Sequence, residues 1–372
     1  MKNAKIKLQN KAEHVELIKA MVSPDPATSG KARAAFAKFI GPVIQQVLNL
    51  MGTANLIYTD WPYNEDDLPM FPLDQYYLQP VGSIKVWQQN VPGGLGSSLE
   101  SGLQEMPITT YRLDTAVSWL EKTIRRGRLP YVSLGLNRAA QELLRLQERN
   151  GWLVALRALA EARTRSGTST LEHIIASTTA GVLQLDDFNR WLTRAKRINV
   201  AFDQQGTPET MYSKGATDAF LSPEMMEQIR GFVYQPMNTR GVPDSNESTV
   251  LGLPDAVRQN IYNNSGMSEV YGITLHEMLE FGVSQRYNTL FGSFYSGSTS
   301  FATASQQIIM GVDRSREALI RPIAQNADYG SDLVMQEDNQ WPKRAGKIGF
   351  FGALEEGRAV IDSRVLTGLI IQ

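Results

Sequence analysis

The stretch from Val81 to Arg165 constrains this chain more than any other. It reads as two strand arms with a long glycine-rich excursion between them, followed by a long helix. The first arm is Val81-Gly-Ser-Ile-Lys-Val-Trp-Gln-Gln89, the excursion runs from Asn90 to Leu103, and the return arm begins near Met106. In that arm Tyr111, Leu113, Thr115, Val117 and Trp119 alternate with Arg112, Asp114 and Ser118, the period of two that predicts a half-buried strand. After Gly127-Arg-Leu-Pro130, read as a breaker, Leu136, Ala140, Leu143, Leu144, Trp152, Leu156, Leu159 and Ala160 recur at helical spacing and predict a helix to about Arg163. A polar loop this long has little core of its own, and such loops are as a rule functional or disordered.

Length and composition narrow the classes. A chain of 372 residues exceeds what one compact core holds in most folds and predicts two or three lobes. Hydrophobic content of 42% and charged content of 20% fit a globular protein. A net charge of −1 gives no global pull toward nucleic acid or membrane, so any electrostatic role is local. The absence of cysteine excludes disulfides, thiolate metal sites and cysteine nucleophiles. The polar, basic start and the lack of any apolar run near ~20 residues predict no signal peptide and no membrane span, hence a soluble product of a reducing cytoplasm.

Charge is uneven along the chain. Residues 1–40 carry eight lysines and arginines (Lys2, Lys5, Lys7, Lys11, Lys19, Lys31, Arg33, Lys38) against Glu13, Glu16 and Asp25, a balance of +5. This is either a solvated arm or one that lies on an acidic surface or near nucleic acid. Asp60 to Asp74 holds Asp60, Glu65, Asp66, Asp67 and Asp74 with no basic residue, and Pro62, Pro69 and Pro72 keep it extended. A basic arm and an acidic segment in one chain can pair between copies. Exposed ion pairs contribute about 0–1 kcal/mol each, so such pairing guides register more than stability.

Local patterns predict further elements. Phe36, Phe39, Ile40, Val43, Ile44, Val47 and Leu48 give an amphipathic helix over Lys31–Leu50, bent or broken at Gly41-Pro42. Thr168 or Ser169 is placed to cap a short helix over Thr170–Ala176. Asp186 or Asp187 opens a helix with Phe188, Trp191, Leu192, Ala195 and Ile198 inward, and Thr217–Leu221 reads as a strand. Ser222-Pro-Glu224 starts a helix, with serine capping, proline first and an acid in the first turn. Val233–Ser265 and Ser293–Ser305 read as loops. Gln307–Met310, Ala318–Ile323, Lys347–Phe351 and Ala359–Ile371 read as strands, the last two separated by Glu355-Glu-Gly357. Strands near both ends with helices between them predict an α+β fold whose first sheet recruits late strands.

Catalytic and binding motifs are thin. His276-Glu277-Met-Leu-Glu280 would set a histidine and a carboxylate one turn apart on a helix, but a zinc hydrolase needs a further ligand and only His14 and His173 remain. An amphipathic helix with Leu275, Met278 and Leu279 inward explains the same spacing. There is no nucleophile elbow and no phosphate loop, and Gly93, Gly94 and Gly96 precede no dinucleotide arrangement. Gly349-Phe-Phe-Gly352 reads as a strand with a turn. Trp119, Lys122, Arg125, Arg126 and Arg128 suit either a phosphate or an acidic neighbour. No catalytic, cofactor-binding or metal residue is assigned, and no cofactor is expected.

The order of elements resembles the major capsid proteins of tailed bacteriophages, the Hong Kong 97 fold. The resemblance is carried by an N-terminal arm, an extended two-stranded loop over about Asp66–Thr110 and a long spine helix over about Leu134–Arg165. It is carried also by Val182-Leu-Gln-Leu-Asp-Asp-Phe-Asn-Arg-Trp-Leu192 followed by Ala219-Phe-Leu-Ser-Pro-Glu224, by Gly252-Leu-Pro254, by Gln307-Ile-Ile-Met-Gly-Val-Asp313 and by Glu355-Glu-Gly-Arg-Ala-Val-Ile-Asp-Ser-Arg364. It implies an arm over residues 1–65, an extended loop over 66–110, a peripheral domain with the spine helix over 111–180, an axial domain over 181–320, and closing strands shared by both domains over 321–372. The function it implies is assembly rather than enzymatic: pentamers and hexamers of an icosahedral shell around the phage genome, built in the host cytoplasm as the virion capsid. The implied partners are further copies of the chain, packaged double-stranded DNA without sequence specificity, and scaffold, portal and decoration proteins, with no membrane. The alternative is a bacterial nanocompartment of encapsulin type that encloses a cargo enzyme. On this reading the loop glycines and a bend near Gly151 are the candidate hinges, the N-terminus is untrimmed, and Lys85 in the extended loop has no asparagine partner identified for a crosslink.

Overall fold

The computed structural model describes residues 12–72, 105–126, 129–166, 169–198, 215–231, 269–297, 301–325, 332–338 and 345–372. The first excursion arm, Lys85, Gly93, Gly94, Gly96, Arg128 and Gly252-Leu-Pro254 lie outside them. The described chain is an α+β fold. It begins with α1 (Ala12–Met21), α2 (Pro26–Met51), β1 (Thr59–Asn64), β2 (Met70–Pro72), β3 (Glu105–Pro107) and β4 (Thr110–Leu120). There follow α3 (Glu121–Arg125), α4 (Leu129–Glu161), β5 (Arg163–Ser166), β6 (Ser169–Glu172), β7 (Ile174–Ala176), α5 (Leu185–Ile198), β8 (Asp218–Leu221) and α6 (Pro223–Gly231). The remainder is β9 (Glu269–Val270), β10 (Ile273–Glu277), α7 (Arg286–Phe294), β11 (Gln307–Val312), β12 (Leu319–Gln325), β13 (Leu333–Asp338), β14 (Lys347–Gly357), β15 (Ala359–Val360) and β16 (Leu366–Ile371).

Two compact units are distinguished. The first holds the described residues up to Gly151 together with Leu319–Ala359, and the second holds Trp152–Ala318 together with Val360–Gln372. The division falls inside α4.

The first unit is built on β14. β4 pairs with it antiparallel from Thr110↔Gly357 to Leu120↔Lys347, and β13 covers its other edge from Leu333↔Leu354 to Asp338↔Gly349. At Glu356 that edge passes to β12, and β12 in turn pairs parallel with β1. The alternation read in β4 is the one observed: Leu113, Thr115, Val117 and Trp119 turn inward and Arg112, Asp114, Ala116 and Ser118 outward. Phe36, Ile40 and Ile44 of α2 and Leu136, Ala140 and Leu143 of α4 pack with Phe350 and Leu354 in one core, where the Phe36 and Phe350 rings lie 5.3 Å apart. Burial at roughly 1.5–3 kcal/mol per large side chain makes this core the main stabilising term of the unit.

The second unit carries a sheet ordered β7-β16-β11-β8-β10-β9. α5 lies on it with Phe188, Trp191, Leu192, Ala195 and Ile198 buried, the face the spacing predicts. Ser222 caps α6, its Oγ accepting from the Met225 amide at 3.3 Å. Trp152 is fully buried here, 5.0 Å from Phe220 and stacked 5.5 Å from Tyr287.

Several expectations are corrected. α2 starts at Pro26 under an Asp25 cap and runs through Gly41-Pro42, so of the bend or break expected there the break does not occur, and the proline costs one helical hydrogen bond without ending the helix. The breaker read at Gly127-Arg-Leu-Pro130 falls where α3 ends at Arg125 and α4 begins at Leu129; only its last two residues belong to α4, with Pro130 in the first turn, which has no use for its missing N–H. Thr170–Ala176 is not a helix: β6 pairs with β5, and β7 pairs parallel with β16 at Ile174↔Gly368, as suits its β-branched residues. Gly349-Phe-Phe-Gly352 makes no turn, and Glu355-Glu-Gly357 does not separate strands; both lie within β14. Ala359–Ile371 is not one strand, since Ser363–Val365 forms a 3-10 turn between β15 and β16.

Candidate functional site

His276 lies on β10, not on a helix, because Ile273 and Leu275 alternate inward and the strand pairs parallel with β8. Its Nε2 is 2.7 Å from Asp218 Oδ1, and its ring stacks on Phe220 at 4.9 Å. Thr217 Oγ1 donates to Asp218 Oδ2 at 2.7 Å, and Arg314 Nη1 is 3.7 Å from Oδ1. Burial works against ionisation of Asp218, but the bonds from His276 and Thr217 and the charge of Arg314 prevail and hold its carboxyl below the usual range. Glu277, Glu280 and Leu279 are exposed, so the proposed one-turn pairing of His276 with Glu280 and the inward Leu279 both fail. His173 is fully buried with Nδ1 2.9 Å from the Leu366 carbonyl oxygen, and His14 falls in α1. Among the described residues no three acids or histidines stand together to hold a metal ion.

Of the basic group read near Trp119, two members have partners within the chain and Arg128 lies outside the described residues. Trp119 packs into the core 6.0 Å from Phe350, and Arg125 pairs with Glu121 one turn away at 2.9 Å. Gly151 sits within an unbroken α4, where its carbonyl accepts from the Tyr58 hydroxyl at 2.9 Å.

The strongest electrostatic feature of the first unit was not foreseen. Glu356, fully buried on β14, accepts from Arg321 Nε at 2.7 Å, from the Tyr111 hydroxyl at 2.7 Å and from Gln147 Nε2 at 3.1 Å, with Arg358 Nη2 at 3.4 Å. Arg321 also reaches Asp60 at 3.3 Å, and the Arg358 guanidinium lies 4.8 Å over the Tyr58 ring. Burial opposes ionisation of Glu356, but Arg358 and Arg321 together with the two hydrogen bonds bring its carboxyl below the ordinary value. Burial and the Glu356 charge push the Tyr111 phenol up to about 12. The signal in the sequence was an arginine and a proline inside the apolar run Ala318–Ile323, since a charge among buried residues demands a partner. Glu356, Arg321 and Arg358 are buried and pair across the strands of the first sheet, which they brace, while Arg358 Nε and Nη1 have no hydrogen-bond partner among the described residues.

Two features face outward. β2 pairs with β3 at Met70↔Pro107, Phe71↔Met106 and Pro72↔Glu105, a ribbon separate from both large sheets that brings the residues on either side of 73–104 together. Beside the foot of this ribbon is an open groove of about 770 Å³ lined by Trp61, Leu68, Met70, Ile108, Asp66, Asp67 and Glu105 among others.

No family model matches the chain, and no curated protein is similar to it. Among solved structures it is similar to the capsid of the cyanophage P-SCSP1u, at 12% identity over 84% of this chain and 85% of that one with a TM-score of 0.46. It is similar to the capsid of the native GTA particle, at 9% identity over 86% and 89% with a TM-score of 0.48. It is also similar to the holo-SrpI encapsulin of Synechococcus elongatus, at 13% identity over 84% of each chain with a TM-score of 0.43. Likenesses at identities and scores this low leave the function to be argued from the chain itself.

Proposed function

We propose that this chain is a structural shell subunit, the major capsid protein of a tailed-bacteriophage particle, which assembles into pentamers and hexamers around double-stranded DNA. The carrying observation is the β2–β3 ribbon, which gathers the two ends of the 73–104 excursion outside both large sheets. Long polar excursions are as a rule functional or disordered, and in a shell the role open to one held at a paired base is contact with a neighbouring subunit. The order of arm, excursion, long helix and late strands in the sequence supports the same reading. Permanent subunit interfaces of this kind bury on the order of 2,000–5,000 Å², and closure of the shell hides edges that would otherwise aggregate.

On this reading the subunit is built into particles in the host cytoplasm, with scaffold, portal and decoration proteins as further partners. The test is cryo-electron microscopy of the purified protein, with uniform icosahedral shells showing fivefold and sixfold rings as the expected result. A single small species in analytical ultracentrifugation at all concentrations refutes the proposal. Shells free of nucleic acid that enclose one cargo protein would move the assignment to a nanocompartment.

A further inference from the structure

The inner face of α5 belongs to the core of the second unit. Its outer face, from Asn189 to the end of the helix, holds Arg190, Thr193, Lys196 and Arg197 exposed and Arg194 half-buried, with no acid and no apolar side chain among them. Helical spacing sorts the face into two neighbouring rows, Arg190, Arg194 and Arg197 in one and Asn189, Thr193 and Lys196 in the other. The cations thus line about 10 Å of helix. Arg190 Nη1 donates to Thr178 Oγ1 at 2.7 Å and lies 3.5 Å from Asp187 Oδ1. Arg194 donates from Nε and Nη2 to the Glu172 carbonyl oxygen at 3.1 and 2.9 Å, which fixes its guanidinium without neutralising it. Arg194, Lys196 and Arg197 form no ion pair among the described residues. By contrast Arg112, Arg125, Arg145 and Arg157 each meet an acid on their own element within 3.3 Å. The helix dipole favours Lys196 and Arg197 in the last turn, but it accounts neither for Arg190 nor for the want of acids.

The chemistry of the face selects its partner. Surfaces that dock proteins are built around aromatic and apolar side chains and are poor in lysine, and this face offers no such anchor. A phosphate backbone asks only for closely spaced cations, and a DNA duplex presents one negative charge for every ~1.7 Å of its axis. We infer that the outer face of α5 is a sequence-independent contact for double-stranded DNA, with Arg190, Arg194, Lys196 and Arg197 as the groups that meet phosphate. The choice of double-stranded DNA rests on the shell reading, whereas the fit to a polyanionic backbone rests on the helix alone. A subunit whose net charge is −1 gathers its pull on DNA into one helix face.

The test is the binding of a short fluorescent duplex to the full chain, followed by anisotropy over a range of salt. Each phosphate contact steepens the fall of log K with log salt by about 0.9, so Lys196→Gln with Arg197→Gln should flatten the slope by about 1.8 and weaken binding on the order of tenfold. Lys31→Gln with Lys38→Gln, an equal loss of charge at exposed sites of α2, should leave both quantities nearly unchanged. Lys196→Arg, which keeps the charge, should bind as wild type does. Thermal melts of all variants are expected to superimpose on wild type, since each changed side chain is exposed. Where the chain closes into particles, the readout is the nucleic acid retained after nuclease treatment, expected to fall severalfold in the α5 variant and not in the α2 one. Absence of binding at low salt, equal loss in the two double variants, or stronger competition by polyglutamate than by unlabelled duplex at equal charge concentration overturns the assignment. Micrographs of the same samples separate the two readings: binding that needs α5 without closed particles overturns the shell alone, and closed particles whose nucleic acid is indifferent to α5 overturn the contact alone.

Discussion

Glu356 is the residue on which the first unit most depends electrostatically. Removing one member of a buried ionic cluster strands the others, at a cost of about 3–5 kcal/mol, whereas replacing the whole cluster with apolar side chains of similar volume is often near neutral. Glu356→Gln is therefore expected to destabilise the subunit by about that amount in urea denaturation. The triple variant Arg321→Met, Glu356→Leu, Arg358→Met should lose less than the single one. The linkage to pH has a definite sign: the folded carboxyl sits below its ordinary value of 4.5, so its contribution is fully present above pH 4.5 and is lost as pH falls through the lower folded value. Acid melts should show wild type losing stability below pH 4.5 more steeply than Glu356→Gln. Tyr111 acts at the other end of the scale: with its phenol raised from 10.0 to about 12, stability is full below pH 10.0 and falls as pH rises through about 12. Tyr111→Phe should flatten that alkaline limb in a thermal melt series. The sequence announces Arg321 as a charge in an apolar run, but its partner is 35 residues away on another strand and no local pattern joins them.

Elements were legible where one face repeats within a few residues. α5 shows its whole buried face at helical spacing, and β4 its alternation, because both bury a single side against one core. β6, β7 and the end of β14 were not legible. Their residues are short runs whose strand conformation comes from partners far along the chain, and the acids of Glu355-Glu356 look like a turn until Arg321 and Arg358 are placed beside them. The His276 helix failed for the same reason, since parallel pairing with β8 overrides a spacing that fits a helix. Two glycines test this packing. Gly30 lies inside α2 with open space where a Cβ would be, so Gly30→Ala should stabilise by about 0.5–1 kcal/mol in denaturant titration. On β11, a methyl at Gly311 would overlap the Trp191 ring and crowd Thr367, and Gly311→Ala should destabilise by about 1–3 kcal/mol or more.

For the whole molecule, the arrangement was read from element order and the carrying feature from the sequence between two strands. The recruitment of late strands by the first sheet follows the expectation: β4 lies against β14, and β1 against β12. What the sequence withheld was the register, since eleven cross-strand pairs joining Thr110–Leu120 to Lys347–Gly357 have no local signature. Replacing residues 76–101 by a short Gly-Ser linker keeps the β2–β3 ribbon closed. That variant is expected to melt within a few degrees of wild type yet yield no particles in electron micrographs, and normal shells from it would remove the basis of the proposed function.

The pairing of β4 with β14 also sets a clock on biosynthesis. A ribosome that has released the arm, the excursion and α4 has still not supplied the strand against which β4 must lie, and the second sheet waits longer, for β16 at Leu366–Ile371. Contacts of such sequence separation form late and slowly. Nascent chains on one messenger, crowded together and each exposing an unpaired edge, are thus kept from presenting a finished subunit to one another. The first unit is complete only once β14 has emerged and the second only once β16 has, so on the proposed shell reading assembly draws on chains that are all but finished.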